Sequence, residues 1–300
     1  MKSIFKLSGA LLAFFALYLT ACNNSSSSSE STMLRFKMKE GNSYEYVMTV
    51  DLDQEVMGQK NKVVVATTFT MEPTGSQDSI QSVKATYDRF ALNMEAAGMS
   101  MEIDTDKPAP ATEADFNQNP MALVQRLFTA IKGKSFNFEI NEKGELTSVT
   151  GIQELLNSII DSVGLPEEQK AQMMASMQDQ FSEQSVKDQF TTFFSAFANR
   201  EVKVGDTWDM TTETKGRMGG TFANTYTVKA IEDKNVTLGV NTKVTGTEAE
   251  GLTGTQNGTM VVDTDLGLIR NGEINQDFKM SMQGMSIDMK GKVLMTGRVK

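Results

Sequence analysis

Short runs of alternating apolar and polar residues, closed again and again by glycine, restrict this chain to antiparallel hairpins. Alternation puts every second side chain on one face of a strand, and glycine at the turn accepts the positive φ that tight connections need. The runs also repeat. Lys39-Glu40-Gly41-Asn42-Ser43-Tyr44 matches Lys203-Val204-Gly205-Asp206-Thr207-Trp208: a Lys, a Gly two residues later, an aromatic three after that. The first hairpin runs from Tyr44 to about Val56, turns at Met57-Gly58 and returns through Val63 to Met71. The second runs from Trp208, turns near Met218-Gly219-Gly220 and returns through Phe222 to Val228. The return strands end alike, Thr68-Phe69-Thr70-Met71 against Thr225-Tyr226-Thr227-Val228, and a third strand follows each, Ile80 to Met94 and Val236 to Val244.

Later segments extend the parallel. Phe136 to Ile140 meets a turn at Asn141-Glu142-Lys143-Gly144, as Met260-Val261-Val262 meets one at Asp263-Thr264-Asp265-Leu266-Gly267. Leu92-Asn93-Met94 turns at Ala97-Gly98 into Met99-Ser100-Met101, and Phe278 to Met282 turns at Gln283-Gly284 into Met285-Ser286-Ile287. Agreement at several independent features favours duplication over chance. The expected fold class is α+β and β-rich: two similar antiparallel β units, forming a curved sheet or partial barrel, with a helical insertion packed on one face.

Helical spacing fills the middle. Val124, Leu127, Phe128 and Ile131 share a face and Gly133 stops it; Ile152, Leu155, Leu156, Ile159, Ile160 and Val163 make a second face closed by Gly164. Pro166 suits the first turn of a third helix, with Glu167 and Glu168 favourable against its dipole. Beyond it come Met173, Met174, Met177 and Phe181, then Phe190, Phe193, Phe194 and Phe197. Such stripes need a sheet, each other or a ligand to cover them.

The N-terminus carries an address. Lys2 and Lys6 precede an apolar run from Leu7 to Leu19, which ends Leu19-Thr20-Ala21-Cys22. The run has the length of a signal-peptide core and is too short to span a bilayer comfortably. The end resembles the lipobox of bacterial lipoproteins, which implies cleavage before Cys22 and lipid, palmitate included, on that cysteine. More than one acyl chain suffices for stable anchoring. Asn23 to Ser29 is polar low-complexity sequence that reads as a flexible tether. The expected organisation is therefore a signal peptide over 1–21, lipidated Cys22 and tether over 22–32, a first β-rich half with a short helix over 33–150, a helical segment over 151–199 and a second β-rich half over 200–300. Asn23, at the second mature position, lacks the Asp that retains enteric lipoproteins at the inner membrane, so the expected place is the periplasmic face of the outer membrane, with cell-surface display the alternative.

Composition removes whole classes of chemistry. The formal charge is −9 and no basic patch stands out, which argues against nucleic acid. Histidine is absent and the anchor uses the one cysteine, so Ser-His-Asp, Cys-His and His-zinc schemes lack their parts. Asp263 to Gly267 superficially suggests a calcium loop but lacks the third acid and the distal Glu, and reads as a hairpin turn. Carboxylate pairs, Glu248 with Glu250 or Asp104 with Asp106, are the remaining route to hydrolase chemistry. Trp208 reads as a core residue opening a strand. The 21 methionines read mainly as core, with a soft copper site the outside alternative. No cofactor and no metal is expected.

The chain as a whole resembles a family of bacterial lipoproteins, mostly from Bacteroidota-like organisms, known only as a domain of unknown function. The resemblance rests on Gly41 to Tyr44 after Leu34, on Tyr87-Asp88-Arg89, on Gly133-Lys134-Ser135-Phe136 through Gly144, and on Val204 to Trp208. It implies no catalytic residue. By architecture, a curved sheet with helices on one face is similar to periplasmic lipid and lipoprotein carriers. Three functions follow. The leading one is a non-catalytic binder of a lipid or other apolar ligand, with Met173, Met177, Phe181, Phe190, Phe193, Phe194 and Phe197 as the inner face of a lid. The others are an interaction lipoprotein docking an envelope protein partner, and a carboxylate-dependent hydrolase.

Overall fold

Fourteen strands and four helices follow one another in the computed structural model, which describes residues 31–56, 58–96, 99–107, 120–177, 181–214, 219–246, 252–282 and 285–300. The anchor region with Cys22, the turns at Met57, at Ala97-Gly98 and at Gln283-Gly284, and the pair Glu248 and Glu250 lie outside the described residues. The strands are β1 (Thr32–Leu34), β2 (Tyr44–Val56), β3 (Gln59–Gln77), β4 (Ile80–Ala96), β5 (Met99–Asp104), β6 (Ser135–Asn141) and β7 (Leu146–Thr150), then β8 (Arg200–Val202), β9 (Thr207–Thr214), β10 (Gly220–Glu232), β11 (Asn235–Gly246), β12 (Leu252–Asp263), β13 (Leu268–Met282) and β14 (Met285–Val299). The helices are α1 (Pro120–Ile131), α2 (Ile152–Val163), α3 (Glu167–Met177) and α4 (Glu183–Phe194).

Twelve strands make one antiparallel sheet in the order β7-β6-β4-β3-β2-β14-β13-β12-β11-β10-β9, with β5 beside β4. The last strand pairs with the first long one along its whole length, Val299 opposite Tyr44 and Ile287 opposite Val56. The long strands on both sides of the helical segment thus share a single sheet, and it is open, with β7 and β9 as its free ends, while β1 and β8 pair separately as a two-stranded sheet. Helix α4 touches both of them. Thr191 on α4 accepts the backbone N–H of Leu146 at 3.1 Å, which satisfies an edge donor on β7 that no strand covers.

Alternation drives one face of this sheet inward. Tyr44, Tyr46, Phe69, Met71, Val83, Ala85, Phe136, Phe138, Tyr226, Leu238 and Val262 are buried together. The chain entering β2 passes over the turn between β6 and β7 and the turn between β12 and β13. Phe36 donates its N–H to Glu142 and Lys37 approaches Gly267, while Gln81 makes two 2.8 Å bonds to the Met38 backbone. The two tight turns met there both require glycine. A Cβ on Gly144 would fall 2.0 Å from the Phe194 carbonyl oxygen, and one on Gly267 would fall 2.3 Å from the Lys37 nitrogen.

The two openings share a turn but not a register. Asn42 bonds back to Lys39, as Asp206 bonds back to Lys203. Yet Tyr44 faces Met71, whereas Trp208 faces Tyr226, the residue matched by sequence to Phe69. The second hairpin is therefore offset by two residues, a shift that leaves each side chain on its original face.

Helix ends follow local chemistry. α2 stops at Gly164, which takes the left-handed conformation, and Ser182 caps α4 by accepting the Ser185 N–H at 3.1 Å. α4 ends at Phe194, so the stripe expected to run on through Phe197 is broken there. Ser195 leaves the helical region, and Phe197 lies in the following loop.

Candidate functional site

A cavity of about 490 Å³ lies between the sheet and helices α1, α2 and α4. Its floor includes Tyr46, Met48, Thr67, Phe69 and Phe90; its roof is Leu127, Phe128 and Ile131 of α1, the inner stripe of α2, and Phe190, Phe193 and Phe194 of α4. The volume is within the usual range for small-molecule sites, roughly 300–1,000 Å³. Among the described residues no Lys, Arg, Asp or Glu is in the lining, and the polar side chains there are Tyr46, Thr67, Tyr87 and Gln189.

Aromatic contacts hold the roof open. Phe190 meets Phe69 and Phe136 edge-on, each at 5.5 Å, and Phe194 meets Tyr46 at 5.3 Å. Phe128 stacks on Phe90 at 4.2 Å, fixing α1 to β4. These geometries suit ring quadrupoles, and each pair is worth about 0.5–1.5 kcal/mol beyond area burial. Burial pushes the Tyr87 hydroxyl up to about 12 and raises that of Tyr46 as well. Both stay neutral donors. The Tyr46 hydroxyl is buried with the Ile269 backbone as a polar neighbour outside good hydrogen-bond geometry.

The seven residues expected to form the lid divide three ways. Phe181, Phe190, Phe193 and Phe194 line the cavity, with Phe181 at 38% exposure. Met173 is half-buried on α3 and is not in the lining; Met177 ends α3, and its side chain is outside the described residues. Phe197 is fully buried against Phe36 at 5.5 Å, hence core and not lid, because α4 ends three residues before it. The sequence reading missed the α1 and α2 faces as roof and Tyr46, Met48, Thr67 and Phe90 as floor. Their apolar spacing was visible, but which stripe would face a void was not.

A second, much smaller cavity of about 30 Å³ adjoins the other side of α4. Phe193 and Met295 line both and so partition them. Asn224, Thr242 and Gln256 border the small one.

The other candidate chemistries are placed elsewhere. Arg89 holds Asp104 through Nε at 3.0 Å and through a second nitrogen at 2.8 Å, and the Asp104 carboxyl is pulled down to about 2 chiefly by that bond. Asp106 is paired to Lys132 at 2.6 Å and to Arg89 at 3.4 Å. The Asp104 carboxyl, held ionised in this way, is a poor proton donor. Asp263 caps its own turn, accepting the N–H groups of Asp265 and Leu266 at 3.0 Å each. Among the described residues, no group of three or more His, Cys, Asp or Glu is placed to hold a metal.

The model of a family of unknown function (DUF6263) matches residues 78–269. No curated protein matches the chain. Among solved structures, the β domain of the Bordetella autotransporter BrkA is similar at 6% identity over 85% of this chain and 98% of that one, with a TM-score of 0.27, too low to carry any argument.

Proposed function

We propose that this chain, which belongs to the family of unknown function DUF6263, is a non-catalytic, lipid-anchored envelope protein that binds a lipid or other apolar ligand. The observation that carries the reading is the uncharged cavity of about 490 Å³ under α1, α2 and α4. A void among aromatic and aliphatic side chains forfeits contacts on its open side, and an apolar ligand restores them. The anchor supports the same reading: Cys22 behind an apolar run would hold the protein at the periplasmic face of the outer membrane, where acyl chains are at hand. The matching turns at Gly41 and Gly205, and those at Gly144 and Gly267, support an origin in two similar β units with the helices packed on their shared inner face.

The test is displacement of an uncharged fluorescent acyl ester from protein starting at Ser31. Saturable binding is expected, weakened at least tenfold by Phe193→Asp with the far-UV circular dichroism unchanged. Absence of saturable binding by the unaltered protein refutes the cavity reading and leaves a docking lipoprotein as the better account. The anchor is tested separately: labelled palmitate should enter the natural chain and not Cys22→Ser.

A further inference from the structure

One cross-strand row on the concave face changes character at its midpoint. Reading across the sheet, Met101, Met94, Val63 and Leu52 stand opposite one another on β5, β4, β3 and β2. Leu52 faces Gly291 on β14, and the row continues through Gln276, Gln256, Thr242 and Asn224 on β13, β12, β11 and β10. The row on one side of it has no polar amide or hydroxyl-bearing Thr, running from Ile103, Leu92, Val65, Val50 and Val293 through Ile274 and Gly258 to Val240 and Tyr226. On the other side, the second half again turns apolar with Phe278, Val244 and Phe222, which form their own buried cluster. Four neutral hydrogen-bonding side chains thus interrupt a face that alternation otherwise makes greasy.

Their hydrogen-bonding capacity is only partly used. Thr242 donates to Asn224 Oδ1 at 2.7 Å, and Asn224 reaches the Phe222 carbonyl at 3.4 Å. Gln256 and Gln276 are half-buried, and their amides have no side-chain hydrogen bond among the described residues. Half-buried amides of this kind keep donors and acceptors free for water or for a ligand. The small cavity at Gln256, Thr242 and Asn224 has room for a single carbonyl or hydroxyl, and only Phe193 and Met295 stand between it and the large one.

We propose that Gln256, Thr242 and Asn224 at the small cavity, with Gln276 just outside its lining and opposite Gln256, are a second subsite, which takes the uncharged carbonyl linkage, ester or amide, of a ligand whose acyl chain fills the large cavity. The inference rests on the carrier reading and adds a ligand class to it. Amides offer donors to a carbonyl oxygen, and the absence of any cation among the described residues of either lining disfavours a carboxylate or phosphate. An acylglycerol, or the acylated end of a lipoprotein, carries such a linkage next to its chain; a free fatty acid at neutral pH does not.

The experiment compares tritiated hexadecane, methyl palmitate and palmitate ion retained by the full chain in dodecyl maltoside after gel filtration. Retention of each is normalised to its partition into protein-free micelles, because the three differ in affinity for the detergent. Each neutral hydrogen bond is expected to favour the ester roughly two- to tenfold over the alkane. Gln256→Leu with Gln276→Leu should collapse that gap while hexadecane retention and the thermal midpoint hold; Gln256→Asn should keep part of it. Equal retention of ester and alkane, or a gap unchanged in the double variant, overturns the subsite and leaves the cavity reading intact. Preferential retention of palmitate ion also overturns it. Retention of none of the three overturns the carrier reading itself. If the double variant unfolds, Gln256→Asn decides alone: a gap identical to the natural protein's counts against the subsite.

Discussion

The two sides of the concave face are built on the same ladder yet hold different things. On the β2–β6 side, aromatic rings on the sheet meet rings on α4, and large rigid groups meeting edge-on leave a void between them. On the β10–β13 side, Val, Ile and Met fill the space against Phe193, and only the small polar-bordered cavity remains. Curvature and alternation do not make a binding site here. The size and rigidity of the inward side chains do, because branched and flexible groups interdigitate where large planar rings prop elements apart.

Core truncations should give the largest contrast. Phe197→Ala removes a fully buried ring and should reduce stability by roughly 3–5 kcal/mol in urea unfolding. Phe193→Ala and Phe181→Ala, at a void that already exists, should stay under about 1.5 kcal/mol. Equal losses at all three would mean that the cavity is closed in solution.

Filling substitutions should act with opposite sign on the two sides. Thr67→Leu projects into the large cavity and should raise stability by about 0.5–2 kcal/mol while weakening ligand binding. Val240→Phe enters the packed side and should lower stability by about 1–3 kcal/mol. Destabilisation by both would erase the distinction between the sides.

The smallest effect concerns the ion cluster beside α1. Arg89 lowers the Asp104 carboxyl in the folded state, so the fold gains from its ionisation above the ordinary value of 3.8 and loses that gain as pH falls towards about 2. Asp104→Asn should therefore flatten the stability profile over that acid window and leave its shape near neutrality unchanged. A variant whose profile still falls as steeply there would place the acid sensitivity elsewhere. Ligand affinity should not move, since the cavity lining contains neither residue.

Local chemistry fixed the elements. Alternation placed Ile80 to Met94 in β4 and Val236 to Val244 in β11, whose opening turns carry Asp78, Ser79 and Asp233 at positive φ instead of glycine, and the α2 face ends at Gly164 as its spacing implies. The strand-turn-strand at Asn141 to Gly144 and the turn at Asp263 are equally local, set by side-chain caps and left-handed glycines. The α1 and α4 stripes declared that they had to be covered without saying by what.

Only the tertiary structure decided the partners. That β2 pairs β14, joining the two ends of the described chain into one open sheet, depends on contacts far apart in sequence that no window reveals. The two-residue offset between the matched hairpins is equally invisible, because a shift by two leaves the inward pattern unchanged. Four phenylalanines at helical spacing read alike. Phe197 became core, Phe190 and Phe194 a roof and Phe193 a partition between two cavities, because α4 stops at Phe194 and lies between unlike surfaces. Periodicity fixes which side chains share a face, whereas whether that face is filled or left hollow depends on the shapes brought opposite it.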